Sequence, residues 1–426
     1  MSDGERPTRS VWTRVAARVR DAWLVLGVSL ALFLVLEAGY RVQATARAFI
    51  SGRSTSARDS VSRLSPYADS AWYREFLRER ARFRPRWEPY VYARGTAQTG
   101  RYLNVDSAGL RVVPRHRVAG GTPARVFVFG GATTWGNFER DSATRAAVLA
   151  RKLAAAGFDA EVTNFGQPGY TSSQELITLA LELRRGNVPD AAIFWDGIDD
   201  INAMRQNGRA GLTLREFDRE EAAAFDARRR ANGGSVGTRL AIRSLLVPSA
   251  LFTRIFEAVS RSAMLSPSAP PARFCRELMA DWLGNVREIE RLAQGYDFVP
   301  LVIWQPQWET SGSPRSAYER MVEATTVLRP SEAGLNAHHV ECARVADSLV
   351  AVHAAESIRD WSRMHFGDTA TVYLNQYSHT TERAIAIEGD SLAVEVINGL
   401  RRKVCSRRPS ELTCRRVTAG ATAFRP

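Results

Sequence analysis

The stretch RVFVFGGATTWG, Arg125–Gly136, decides the fold. RVFVF is a continuous run of β-branched and aromatic residues, the texture of a strand buried on both faces. It breaks into Gly130-Gly131 and then into small polar residues. The same texture returns twice downstream. AEVTNF (Ala160–Phe165) ends in Gly166, and AAIFW (Ala191–Trp195) ends in Asp196-Gly197. Helical periodicity is expected over about 142–155 and 173–183, between these strands. A further buried strand, FVPLVIW (Phe298–Trp304), follows an amphipathic helix at Arg276–Ala293, and the last strand is expected around Thr371–Leu374. Strands alternating with helices at this spacing predict an α/β fold. The expected form is a doubly wound, mostly parallel sheet with helices on both faces, an α/β/α sandwich.

Outward from this core, residues 205–272 interrupt the rhythm with charged helical segments and the run SPSAPP (Ser266–Pro271), and read as an insertion. RYLNVDSAGLRVV (Arg101–Val113) reads as a hairpin around a Ser-Ala-Gly turn. Nearer the start, Ala22–Leu36 (AWLVLGVSLALFLVL) has fifteen positions without a charge, and nineteen residues counted to Tyr40. That approaches the roughly 20 residues needed to cross a bilayer core. Glu37 stands at the end of the run, where a carboxylate reaches the interface at little cost. The expected division is a cytoplasmic tail (1–21), a transmembrane anchor (22–40), a basic juxtamembrane segment (41–122), the α/β domain (123–402) and a C-terminal tail (403–426). Membrane lipid is then one partner, through a single pass, and the bulk of the chain is extracytoplasmic. Cleavage near Ala44-Thr45-Ala46, giving a secreted protein, is the alternative.

The charge distribution fits this division. The chain of 426 residues has a net charge of +13, and residues 1–125 hold 22 basic and 10 acidic residues against 36 and 35 in the remainder. Basic character therefore belongs to the membrane-proximal third, where each arginine gains about 1 kcal/mol against anionic lipid. No zinc-finger spacing, RNA-recognition signature or basic-region heptad is present, so nucleic acid is not an expected partner. The cysteines lack metal-type spacing. In an oxidising compartment, Cys405 and Cys414 around a short polar loop are the preferred pair, which leaves Cys275 with Cys342 by elimination.

Ligands of open α/β sheets bind at the carboxyl ends of the strands. Those ends carry FGGATTWG (Phe129–Gly136), NFGQPGYTSSQEL (Asn164–Leu176) and FWDGIDDI (Phe194–Ile201), with His379 late in the chain. In these motifs the sequence resembles the SGNH (GDSL-type) hydrolase family, specifically its membrane-anchored bacterial envelope members, over about residues 70–400. The resemblance implies ester hydrolysis or acyl transfer without a cofactor. It implies a serine nucleophile after the first strand, a glycine and an asparagine in the oxyanion hole, and an Asp-x-x-His pair near the C-terminus.

Carried over residue by residue, the pattern is degenerate. The nucleophile position is Ala132. Gly166 matches the second block, and Asp199 stands at the oxyanion-hole asparagine. His379 matches the base, with Gln376 at the aspartate position, or Asn375 with a one-residue slip. Loss of a serine nucleophile costs about 10⁶ in turnover, and loss of an oxyanion donor roughly 10²–10³. Gly389-Asp390-Ser391-Leu392 spells the family's nickname but lies after His379, inside an expected final helix. Two rescues are considered: Thr133 or Thr134 as nucleophile, and Asp196, Asp199, Asp200 and His379 activating water or holding a cation. The plain alternative makes Asp196 and Asp200 turn and capping residues. The expectation is an impaired hydrolase-like protein of the cell envelope, with backbone donors at Ala132 and Gly166 still open to an acylated or glycan-like ligand. An active ester hydrolase or acyltransferase with an altered site is the alternative.

Overall fold

The computed structural model describes residues 11–50, 66–67, 69–119, 123–214, 216, 270–325, 335–353 and 357–407. The chain divides into two units, Met1–Asp59 with Ala224–Leu265, and Ser60–Ala223 with Ser266–Pro426. In the first, helix α1 spans Val11–Ile50. Its stretch Val15–Gln43 is long and apolar enough to cross a membrane, and it contains the whole of the expected 22–40 anchor. Near its end Arg41 donates to Glu37 Oε1 at 2.7 Å, one turn back, so the acidic residue closing the apolar run is paired. Most of the expected insertion, 217–269, lies outside the described residues, as does nearly all of the C-terminal tail beyond Arg407.

The second unit opens with helix α2 (Ala71–Arg82) and an antiparallel hairpin of β1 (Pro85–Glu88) and β2 (Tyr92–Gly95). Then come β3 (Ala124–Gly130), the single turn α3 (Ala132–Trp135), α4 (Arg145–Ala155), β4 (Ala160–Asn164) and α5 (Ser172–Arg184). They are followed by β5 (Ala191–Asp196), α6 (Ile198–Asn207), α7 (Pro271–Tyr296) and β6 (Val299–Trp304). The unit closes with α8 (Ala317–Thr325), α9 (Leu335–His353), β7 (Ile358–Asp360) and α10 (Glu382–Arg407). The sheet order is β4-β3-β5-β6-β7, and every neighbouring pair is parallel.

Alternation along the strands builds the two faces. Phe127, Phe129, Phe194, Val302 and Trp304 pack toward α5, α7 and α9. Their neighbours Val126, Val128, Ile193, Trp195 and Ile303 pack toward α4 and α10. Both sides of β3 and β5 are therefore apolar, which is why their sequences lack a polar alternation. The order reverses direction between β3 and β5, since β4 lies on one side of β3 and all later strands on the other. Such a switch point opens a crevice at the carboxyl ends of the two strands.

Two expectations are corrected. The last strand of the sheet is β7, not Thr371–Leu374. In that stretch the Val372 and Tyr373 N–H groups donate to Glu319 Oε1, and Leu374 N–H donates to the His379 carbonyl, so the segment forms a tight loop around His379. The backbone groups a sheet would need are already taken. The Arg101–Val113 turn is present, with Gly109 at φ +81°, but it is held by isolated bridges through Val105 and not by two strands. The regular hairpin lies earlier, at β1 and β2. Cys275 of α7 is disulfide-bonded to Cys342 of α9, as expected by elimination. Cys414, the expected partner of Cys405, lies outside the described residues. The Gly389–Leu392 tetrapeptide is inside α10, where the Gly389 backbone packs on Val148 of α4.

Candidate active site

The crevice is built on a strand-to-helix elbow. Gly130 ends β3 with φ +153°, and a Cβ there would lie 2.1 Å from Thr134 Oγ1. Only glycine accepts both demands. The turn places Ala132, whose side chain is a methyl, at the start of α3.

The Ala132 N–H is not open. It donates to Asp199 Oδ2 at 3.4 Å, and the same oxygen lies so close to Gly131 that a Cβ there would meet it at 1.9 Å. Gly166 is also closed. Its N–H donates to Asn164 Oδ1 at 2.9 Å, while the Asn164 amide donates to the Thr134 carbonyl. A Cβ on Gly166 would meet the Trp135 nitrogen at 2.7 Å, so glycine there serves the packing of β4's loop on α3. The expectation of two open backbone donors is thus overturned: side chains of the protein itself bond both.

His379 is buried in the loop before α10. Its Nδ1 lies 3.1 Å from Asn375 Oδ1, so Asn375, and not Gln376, is the side chain bonded to it. Three residues separate Asn375 from His379, and among them Ser378 takes φ +58°. Nε2 lies 3.4 Å from the Asn137 amide, and the Phe138 ring stands edge-on at 4.8 Å. With Nδ1–H donating to Asn375, Nε2 is the acceptor for Asn137. Burial, together with the charges of Arg80 and Arg145, pushes the imidazole down to about 3. It is neutral across the physiological range. An amide can orient it but supplies no charge to stabilise an imidazolium.

The chain is similar to solved structures, among them a putative lipolytic protein of the G-D-S-L family from Desulfitobacterium hafniense DCB-2, 9% identical over 64% of this chain and 99% of that chain, with a TM-score of 0.34. A second is a carbohydrate acetylesterase family member from Sinorhizobium meliloti, 13% identical over 65% of this chain and 99% of that chain, with a TM-score of 0.34. Another is a member of the lipolytic protein G-D-S-L family from Veillonella parvula DSM 2008, 13% identical over 64% and 97%, with a TM-score of 0.32. TesA is 13% identical over 64% and 98%, with a TM-score of 0.31. No family model matches the chain, and no curated protein matches it. The chemistry must come from the side chains present.

Those side chains form three groups. Thr133 donates to Gln305 Oε1 at 3.0 Å and Thr134 is buried, so neither hydroxyl is bonded to His379. Arg145 of α4 clasps the elbow to the His379 loop. It donates to the Thr133 carbonyl and to Thr380 Oγ1, and it pairs with Glu388 at 2.8 Å. Behind the crevice lies a buried set of carboxyl groups. Trp282 donates to Asp196 Oδ2 at 2.8 Å, while Asp200 Oδ1 accepts from the Ser172 N–H and hydroxyl. Burial and the neighbouring Asp196 hold Glu175 well above the usual carboxylate range, so it keeps its proton and shares it with Asp196.

Asp200 also accepts from the Gly197 N–H at 3.4 Å, the capping role of the plain alternative. Among the described residues, no group of three or more His, Cys, Asp or Glu side chains is placed to hold a metal ion. Asp199 differs from its neighbours in facing the elbow. Burial, then the Asp200 charge, pushes it up to about 7 against the pull of the Ala132 N–H. It is protonated through the acid range and gains its charge only near neutrality.

Sequence reasoning missed Asn137, Phe138, Arg145 and Gln305. Asn137 and Phe138 directly follow the FGGATTWG motif and could have been examined with it. Arg145 and Gln305 carry no local signal, since their roles depend on contacts to Thr380 and Thr133 far along the chain.

Proposed function

We propose that the chain is a membrane-anchored protein of the cell envelope that binds an acylated or glycan-like ligand at this crevice without hydrolysing it. One observation carries the reading: the strand-end position of the nucleophile is a methyl group, and the N–H beside it is bonded to Asp199. A carbonyl cannot be attacked there, and its developing oxyanion would meet a carboxyl group in place of a free donor. His379, neutral and held by two amides, adds a hydrogen-bonding edge and no strong base. The apolar stretch of α1 supports the anchor. The Cys275–Cys342 disulfide supports an oxidising, extracytoplasmic setting.

The test is hydrolysis of p-nitrophenyl acetate and butyrate by the full chain, beside Ala132→Ser and Ala132→Ser/Asp199→Asn. The unaltered chain is expected at the buffer rate, and Ala132→Ser alone little above it. The double variant, which restores both a hydroxyl and an amide donor, is expected to turn over measurably. Turnover by the unaltered chain that His379→Ala abolishes would overturn the reading.

A further inference from the structure

Beside His379 lies an open groove of about 340 Å³, lined by Leu77, Arg80 and Ala81 of α2, by Phe83, by Asn137 and by Pro168. Leu77, Arg80 and Ala81 are spaced i, i+3, i+4, so one face of α2 forms a wall. That wall comes from the segment ahead of the sheet and not from the strand ends. Four of the six lining residues are apolar. The two polar ones stand together at the end nearest His379, because Asn137 is the residue bonded to its Nε2.

Arg80 is the unusual member. Its guanidinium lies over the Phe138 ring, 4.2 Å from the centroid, and that ring also makes a T-shaped contact with His379. Among the described residues it makes no ion pair and no side-chain hydrogen bond. A guanidinium donates in a planar fork that matches a carboxylate. Burial of the group lowers its proton affinity, a desolvation that Tyr73 and the Glu139 charge offset only in part. A half-buried, unpaired cation at the head of an apolar groove matches an amphiphilic anion. A groove of this volume is at the small end of ligand sites, which fits a short or medium chain.

We propose that this groove takes an acyl chain ending in a carboxylate, with the carboxylate on Arg80 and Asn137 and the chain along Leu77, Ala81, Phe83 and Pro168. This deepens the binding reading above and rests on it for the placement of the ligand beside His379. The occupant is the free acid and not an ester, because a neutral ester would leave the Arg80 charge unmet.

The experiment is calorimetric titration of the full chain in phosphatidylcholine nanodiscs, with empty nanodiscs as blank. Octanoate is the probe, with octanol and inorganic phosphate as comparisons. Octanoate is expected to bind and octanol to bind more weakly. Arg80→Gln should weaken octanoate about tenfold or more, the size of a charged hydrogen bond, and leave octanol unchanged. Leu77→Trp should weaken both by filling the groove. Octanoate heats equal to those of empty nanodiscs, or Arg80→Gln binding as tightly as the unaltered chain, overturn the proposal. Phosphate that displaces octanoate as well as octanoate itself does overturns the acyl part. Ester turnover by the unaltered chain with octanoate binding intact would remove the non-hydrolytic reading and leave the groove. Absence of octanoate binding would remove the groove and leave the hydrolysis result untouched.

Discussion

Asp199 is the residue on which the site turns, because it joins the chemistry of the elbow to the stability of the fold. Its carboxyl group is pushed up to about 7, mainly by burial, against 3.8 for an ordinary aspartate. The folded state therefore holds a proton between about pH 4 and pH 7 that the unfolded chain has already released. By linkage, this group makes the fold less stable as pH rises through that window, and the cost is complete above pH 7. Asp199→Asn removes the cost. The variant is expected to be more stable than the unaltered chain at pH 8, on the order of 2 kcal/mol after allowance for the partial exposure of the group. The advantage should shrink toward zero near pH 4. Thermal melts of both proteins from pH 4 to pH 8 give the difference directly, and a constant or reversed difference would contradict the assignment.

Among the elements, α7 and α9 show how helices on one face of the sheet are held in register. Both pack on the apolar side of β5 and β6, and the Cys275–Cys342 disulfide ties them across 67 residues of sequence. A loop of that length, closed in the unfolded chain, corresponds to about 4 kcal/mol in the chain-entropy treatment. The double variant Cys275→Ala/Cys342→Ala should lower the denaturant midpoint accordingly. Reduction of the unaltered protein should produce the same shift, and a midpoint unmoved by either treatment would show that packing alone holds the two helices. The elbow between β3 and α3 is more local. Gly130 and Gly166 let two loops meet without side chains between them, so its shape follows from residues that are nearly adjacent.

The molecule as a unit joins an apolar helix to a sheet domain carrying a buried disulfide. The full chain is expected to stay with the membrane pellet after carbonate extraction. A chain beginning after residue 43 should partition to the supernatant. Alkaline phosphatase fused after residue 407 should be active in cells only if the domain is exported. An inactive fusion with full expression would place the domain in the cytoplasm and remove the compartment in which the disulfide forms.

Much of this is legible in the sequence. RVFVF, AAIFW and LVIW read as buried strands because a sheet covered on both faces leaves no polar alternation. The first two are followed by the glycines that a strand-end loop needs, Gly130-Gly131 and Gly197. Thr371–Leu374 misled because an apolar triplet looks the same whether it pairs with a strand or with Glu319. The β1–β2 hairpin was missed because Tyr90 and Tyr92 take positive φ where glycine or asparagine is the usual signal.

The sequence by itself determined that no hydroxyl stands at position 132, since folding cannot add an atom to a methyl group. It determined the strand texture too, because backbone geometry imposes its period on neighbouring residues. Only the tertiary structure decided that Asp199 bonds the elbow N–H, 67 positions away, and that His379 meets Asn137 across 242. The choice of Asn375 over Gln376 and the unpaired Arg80 at the groove belong with these. Such contacts depend on how distant elements pack, and no local pattern of residues encodes that.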